Sequence, residues 1–221
     1  MNKKFFDLPE EKRQDIINGA LHVFSKYDYK KASTDEIAAQ AGVSKSLLFH
    51  YFGSKKGLYM FIYSYANEFL IREMSQCHNY EEKDFFKILL DAQACKLRVL
   101  LPHPDIILFI FKAYFEEEPS IKPLIDKSFE SILTQSSRAF LQRADTGKFK
   151  EGVSPEEVLN IILWMSEGFM RNRMAEQALG LQNLPPKDRS AKQLGDLKKY
   201  NDEYQKYIDL LRRQFYKPEF I

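Results

Sequence analysis

Two short apolar segments that meet at Gly42 constrain the fold more than any other feature of the sequence. Residues 34–41 and 44–52 carry apolar side chains at helical spacing, and Ser44 stands where the second segment begins, as a helix cap does. Glycine adopts the left-handed backbone conformation that a tight turn between two helices demands. Ala38 is small enough to let the second helix approach the first closely. The sequence therefore predicts a helix-turn-helix.

Helical periodicity continues on both sides of this motif, and no run alternates with the period of two that marks a half-buried strand. One helix is expected at about residues 9–27, and a long one begins at residue 54. A polar, proline-containing stretch at about 180–192 predicts a loop. The predicted fold class is all-α. Five helices are expected after Asn79, at about 81–101, 104–117, 120–144, 155–179 and 193–216.

The second helix of the motif has a surface that suits a groove of nucleic acid. Small polar, basic and aromatic side chains of this kind can bond phosphates and base edges. Net charge, at +2, does not point to nucleic acid, but no Asp or Glu occurs between Ile37 and Asn67 in a chain with 31 acidic residues. A surface made from this window repels no phosphate. A helical packing module with a chance acid-free stretch is the alternative. The side chains expected to face outward are Lys45, Ser46, Leu47, Phe49, His50 and Tyr51.

The first 65 or so residues resemble the DNA-binding domain of the TetR/AcrR family. The shared pattern is Thr34, Ile37-Ala38, Ala41-Gly42-Val43-Ser44, Leu48-Phe49-His50-Tyr51-Phe52 and Ser54-Lys55-Lys56-Gly57-Leu58. Phe49 stands where a tyrosine is usual, which removes one phosphate hydrogen bond, worth about 1 kcal/mol. With the cap Ser44 added, the candidate DNA-binding residues are Thr34, Ser44, Lys45, Ser46, Leu47, Phe49, His50, Tyr51 and Lys55.

This resemblance implies a ligand-responsive, sequence-specific transcriptional regulator, most often a repressor that a small molecule releases from operator DNA. It implies a homodimer, whose two recognition helices would enter successive major grooves about 34–36 Å apart. In that organisation residues 1–56 form a three-helix helix-turn-helix DNA-binding domain. Residues 57–221 form a C-terminal helical bundle for regulation, ligand binding and dimerisation.

Aromatic or soft side chains of the expected bundle are candidates for the wall of a largely apolar effector pocket. For any one of the apolar candidates, plain core packing is the alternative, and it is the commoner role of such a side chain. Glu167 lies on a very apolar helix and needs a partner; Arg171, four residues on, would give a local ion pair, and a cationic ligand is the alternative. The candidates are Phe111, Tyr114, Phe115, Phe140, Trp164, Glu167, Phe169 and Met170.

The last two expected helices carry apolar faces that suit contact with a second subunit. The helix that follows Ser154 is apolar on more than one side, and the final helix carries tyrosines about one turn apart. Packing within the chain is the alternative for the tyrosine stripe. The candidate interface residues are Ile161, Met165, Tyr200, Tyr204, Tyr207 and Leu211.

Other function classes lack their motifs. The sequence contains no nucleophile elbow, P-loop, HExxH or metal-spaced Cys/His cluster, so we expect no enzyme, no metal and no cofactor. A helical protein-interaction module would explain the tyrosines but not the acid-free window. No apolar stretch approaches membrane-spanning length and no signal peptide is recognised, so a cytoplasmic protein is expected. In that compartment Cys77 and Cys95 are expected to be free thiols.

Overall fold

The structure is a computed structural model that describes residues 3–181 and 186–221; for residues 3, 170, 173–181, 186–198 and 200 it describes the backbone alone. Within those ranges the chain is helical apart from connections and two isolated β-bridges. The all-α prediction is confirmed. The helices are α1 (Glu10–Lys26), α2 (Thr34–Gln40), α3 (Lys45–Phe52), α4 (Lys55–Cys77), α5 (Phe85–Leu100), α6 (Pro104–Tyr114), α7 (Lys122–Arg143), α8 (Pro155–Leu181) and α9 (Pro186–Phe215), with 3-10 turns at Lys3–Phe5 and Pro218–Phe220.

Serine hydroxyls start three successive helices. Ser33, Ser44 and Ser54 each accept a hydrogen bond from a backbone amide in the first turn of the helix that follows, at 3.0–3.4 Å. Amides in the first turn lack the carbonyl four residues earlier that pairs amides inside a helix, so these caps favour the starts of α2, α3 and α4. Gly42 and Gly53 have φ angles of 60° and 72°, which allow the chain to turn before and after α3.

The first of two compact units consists of residues 1–77 and 98–132. In it α1 packs against α2, α4 and α6, and the ring of Phe24 is fully buried among them. A methyl group added at Gly19 would lie 3.0 Å from the backbone nitrogen of Ala41. Glycine at this position therefore lets α1 approach the turn that precedes α3.

The second unit consists of residues 78–97 and 133–221. Its core contains aromatic and aliphatic side chains from α5, α8 and α9 and from the segments next to them. Lys148 donates to Asp84 at 2.8 Å beside this core, and Asp84 is 3% exposed. The core residues are Phe85, Phe86, Phe149, Val158, Leu159, Ile162, Tyr204, Ile208 and Tyr216.

These units are defined by packing and not by function. The first unit contains all of residues 1–56 together with α4 and α6. The division into a DNA-binding domain and a regulatory domain at residue 56 concerns binding, so it stays a prediction.

The predicted loop at 180–192 is wrong over the described part of that range. α8 continues to Leu181 and α9 begins at Pro186, while residues 182–185 lie outside the described residues. A proline fits the first turn of a helix, where its missing N–H leaves no hydrogen bond unmade. Pro186 therefore marks a helix start and not an extended loop.

The expectation of free thiols is also wrong. Cys77 and Cys95 are both disulfide-bonded. The spacing of cysteines along a chain does not report their separation in space, and that separation decides whether a bond can form. In a separate respect, none of the helices in the described ranges carries an apolar segment of the length that a bilayer requires.

Candidate nucleic-acid interface

The short helix α3 divides its side chains between a buried and an exposed face. Leu48 and Phe52 are buried and join the core of the first unit. Leu47 lies between the two faces and is half-buried. The exposed face therefore contains four of the six α3 side chains that the sequence predicts for DNA: Lys45, Ser46, Phe49 and His50.

Tyr51 is the exception on this helix. The sequence places it on the outward face, but its side chain is only 7% exposed. Its ring lies edge-on to that of Phe5, with 5.7 Å between centroids. Tyr51 is three residues from Leu48, and residues at that spacing share one side of a helix. The spacing was the available signal, and a DNA contact by Tyr51 stays a prediction.

Lys45 is engaged with a carboxylate in the free protein. Its ammonium nitrogen lies 2.8 Å from an Asp35 carboxylate oxygen, and both side chains are largely exposed. An exposed pair of this kind contributes about 0–1 kcal/mol. A phosphate can therefore replace Asp35 at small cost.

Thr34 and Ser44 lie at helix starts next to the exposed face. Thr34 is the first residue of α2 and is half-buried. The Ser44 hydroxyl accepts from the Leu47 amide at 3.2 Å, so it already serves as a cap. Its hydroxyl proton remains available to donate to a phosphate oxygen.

Lys55, the first residue of α4, is held by the segment between α1 and α2. Its ammonium donates to the backbone carbonyl of Lys30 at 3.2 Å and lies 4.7 Å from the centroid of the Tyr29 ring. Burial lowers the pKa of Lys55, and the nearby carboxylates of Glu116 and Glu118 partly oppose that effect. Lys55 is thus a cation with a defined position.

The acid-free window in the sequence is not an acid-free environment in space. Asp35 faces Lys45, and Glu116 and Glu118 act on Lys55. Sequence reasoning missed Glu116 and its neighbour because they lie more than sixty positions from Lys55, and no local pattern connects them.

The effector candidates fall into both units. In the first, Phe111 is half-buried. The Tyr114 ring packs edge-on to the rings of Phe115 and Phe129, with 4.8 and 4.7 Å between ring centroids. In the second, the ring of Phe140 packs edge-on to that of the core residue Phe85, with 4.8 Å between ring centroids.

The remaining effector candidates lie on α8. Trp164 is 70% exposed. The ring of Phe169 lies edge-on to that of Tyr207, with 5.7 Å between ring centroids. Glu167 accepts from Arg171 at 3.2 Å, which is the local ion pair that the sequence offers as its partner. The side chain of Met170 lies outside the described residues.

The dimer candidates differ in exposure. Ile161 and Tyr207 are 39% and 46% exposed, whereas Tyr204 is 6% exposed and belongs to the core. Met165 and Leu211 are half-buried against that core. The side chain of Tyr200 lies outside the described residues. Tyr204 thus packs within the chain, which is the alternative that the sequence leaves open for these tyrosines.

Sequence comparison agrees with the helix-turn-helix. Residues 16–60 match the family model "Bacterial regulatory proteins, tetR family". The repressor AcnR of Corynebacterium glutamicum is 33% identical over 54 residues, which are 24% of this chain and 29% of that protein. The uncharacterized HTH-type transcriptional regulator YvkB of Bacillus subtilis is 33% identical over 106 residues, 47% of this chain and 52% of that protein. The matches thus span 29% and 52% of the length of these two curated relatives.

Solved structures with the same fold extend the similarity over nearly the whole chain. A TetR family transcriptional regulator from Chloroflexus aurantiacus superposes with a TM-score of 0.68 at 18% identity and covers 98% of both chains. SmeT, the repressor of the Stenotrophomonas maltophilia multidrug efflux pump SmeDEF, superposes with a TM-score of 0.65 at 16% identity, covering 95% of this chain and 94% of that one. At these identities the similarity establishes the fold alone.

Proposed function

Because the chain belongs to the TetR family of bacterial regulatory proteins and is not an enzyme, we propose that it is a sequence-specific DNA-binding repressor that a small molecule releases from its operator. The observation that carries this proposal is the exposed face of α3. Lys45, Ser46 and His50 lie there in solvent, while Leu48 and Phe52 secure the opposite face in the core. A rigid helix with this division of side chains fits a major groove.

In this proposal the exposed side chains divide into two roles. Ser46, Leu47 and His50 face base edges, where a serine or histidine can exchange hydrogen bonds and a leucine can contact a thymine methyl group. Lys45 and Lys55 bind phosphates and supply the salt-dependent part of the affinity. Thr34 and Ser44 donate hydroxyl hydrogen bonds to phosphate oxygens of the DNA backbone.

The test is the double variant Lys45→Ala with His50→Ala. Affinity for the DNA that flanks the protein's own gene should fall at least about tenfold, since a phosphate contact and a base contact are lost together. Fluorescence anisotropy against that duplex and a scrambled duplex measures the change. Lys87→Ala, an exposed lysine in the other unit, serves as control and should bind normally. A wild-type protein with no preference for any duplex over random DNA would refute the function.

We also propose that the protein works as a homodimer. Ile161 and Trp164 on α8 and Tyr207 and Leu210 on α9 are exposed apolar side chains within one unit, between 39% and 70% accessible. Such side chains suit the centre of a subunit interface. The groove around Tyr207 and Leu210 has a charged rim, as subunit interfaces do, formed by Glu203, Lys206, Asp209 and Arg213.

The effector is proposed to be largely apolar. The pairing of Glu167 with Arg171 at 3.2 Å weakens the case for a cationic ligand. FadR of Bacillus subtilis, whose structure is a complex with stearoyl-CoA, shares this fold with a TM-score of 0.64 at 15% identity. Native mass spectrometry of the purified protein would show whether a long-chain or other apolar compound is retained. A DNA-binding regulator works where the chromosome is, so we propose a cytoplasmic location as well.

A further inference from the structure

The end of α6 contacts the segment that holds Lys55. A carboxylate oxygen of Glu116, two residues beyond α6, accepts from the backbone amide of Tyr29 at 2.9 Å. The other oxygen accepts from the amide of Glu118 at 3.0 Å, which orients the carboxylate. Both oxygens of Glu116 are therefore engaged by backbone donors.

Tyr29 in turn forms the surface on which Lys55 rests. Its ring lies beneath the Lys55 ammonium, 4.7 Å from centroid to nitrogen, and packs edge-on to Tyr59 at 5.2 Å. The neighbouring carbonyl of Lys30 accepts from the same ammonium at 3.2 Å. Residues 29 and 30 thus determine where this cation stands, and Glu116 holds the backbone at residue 29.

Other contacts keep α6 in place without Glu116. Lys112 forms an ion pair with Asp28 at 3.1 Å, and Asp105 accepts from Ser25 at 2.9 Å near the start of the helix. Loss of the Glu116 carboxylate should therefore change the Tyr29 segment locally and leave the packing of α6 on α1 intact.

We propose that Glu116 is a positioning residue for Lys55: it holds the Tyr29 amide, so that the Tyr29 ring and the Lys30 carbonyl fix the Lys55 ammonium where it meets a DNA phosphate. Its negative charge acts in the opposite sense, because a carboxylate near Lys55 competes with the phosphate. This inference rests on the proposed function, in which Lys55 contacts DNA, and adds a residue that lies outside the helix-turn-helix.

Two substitutions separate the hydrogen bond from the charge. Glu116→Gln and Glu116→Ala are both neutral, but only the glutamine carbonyl can still accept from the Tyr29 amide. Operator affinity of the alanine variant should be roughly three- to tenfold lower than that of the glutamine variant, the range expected for one hydrogen bond. In a Lys55→Ala background the difference should vanish, because the two residues act through one contact.

The effect of the Glu116 charge on DNA affinity is measured by comparing Glu116→Gln with the wild type. Glu116→Gln should bind DNA more tightly than the wild type at low salt, and the gain should shrink as salt screens the carboxylate. Glu117→Gln is the matched control, since the Glu117 carboxylate pairs with Lys122 at 3.4 Å. It should bind like the wild type.

Amide hydrogen exchange tests the hydrogen bond between Glu116 and the Tyr29 amide without DNA. Amide hydrogen exchange at Tyr29 should be faster in Glu116→Ala than in Glu116→Gln. Equal exchange, equal affinities of the two variants, or an affinity difference that persists without Lys55 would each overturn the positioning role. A Lys55→Ala variant whose salt slope is unchanged would instead show that Lys55 does not contact phosphate, and failure of the wild type to bind DNA would defeat the proposed function itself.

Discussion

At the scale of single residues, the burial and the hydrogen-bond partners of a carboxylate decide how much it contributes to stability. Asp35 forms an exposed ion pair with Lys45 on the candidate DNA face, where water screens the two charges. Asp84 is buried in the second unit and accepts from the Lys148 ammonium and the Lys87 amide, at 2.8 and 3.1 Å. Burial would raise the pKa of Asp84, but these hydrogen bonds outweigh it and the pKa lies below its ordinary value. Asp84 therefore links stability to pH.

The free energy of unfolding should fall as the pH drops below about 4, because a carboxylate with a lowered pKa in the folded state stabilises that state only while it is ionised. Asp84→Asn should lower stability at pH 7 by about 1–3 kcal/mol, and the difference from the wild type should shrink under acid. Urea unfolding between pH 2 and 7 measures this. Asp202→Asn, an exposed position, is the control; a difference that stays constant with pH would contradict the role of the Asp84 charge.

At the scale of elements, the joint between α3 and α4 is a close approach of backbone. A methyl group added at Gly57 would overlap the backbone carbonyl oxygen of Phe52. Backbone cannot rotate away as a flexible side chain can, so the joint depends on glycine at this position. Lys55 lies on the same turn of α4, and its direction depends on this joint.

Gly57→Ala should therefore destabilise the protein by about 1–3 kcal/mol, and operator affinity should fall with it. Gly168→Ala is the matched control on α8, since an added methyl group there meets no atom within 4 Å. That change should be neutral or raise stability by up to about 1 kcal/mol, as alanine favours a helix. Thermal unfolding of both variants gives the comparison; equal stabilities would remove the steric argument.

At the scale of the whole molecule, the proposed function involves two copies of the chain. Trp164, the one tryptophan of the chain, is 70% exposed in the single subunit and lies on the proposed interface. Two copies that cover this face would exclude water from its ring. In the proposed function, operator affinity should also depend on the pairing, because a monomer presents only one recognition helix.

Leu210→Glu should give a monomer, since it puts a charge into the proposed apolar centre. Sedimentation should show half the mass, Trp164 emission should shift to the red, and operator affinity should fall at least about a hundredfold. Leu124→Glu, at a 38% exposed leucine in the other unit, should remain dimeric. A Leu210→Glu variant that is still dimeric would move the interface elsewhere.

The sequence alone was sufficient for the features that depend on near neighbours. Serine caps, the turn at Gly42 and helical periodicity involve groups within four or five residues of one another, so the all-α class and the helix-turn-helix could be predicted. The exposed face of α3 followed for the same reason, and Tyr51 could have been excluded from it by its spacing from Leu48.

Only the tertiary structure decided which charges meet. Lys55 rests on the Tyr29 ring, and the Glu116 carboxylate accepts from the Tyr29 amide, 87 positions away in the chain. The packing of α6 on α1 brings these groups together, and no local pattern records that packing. Hydrogen bonds and ion pairs act over a few ångströms, so partners that are distant in sequence become apparent only once the helices are packed.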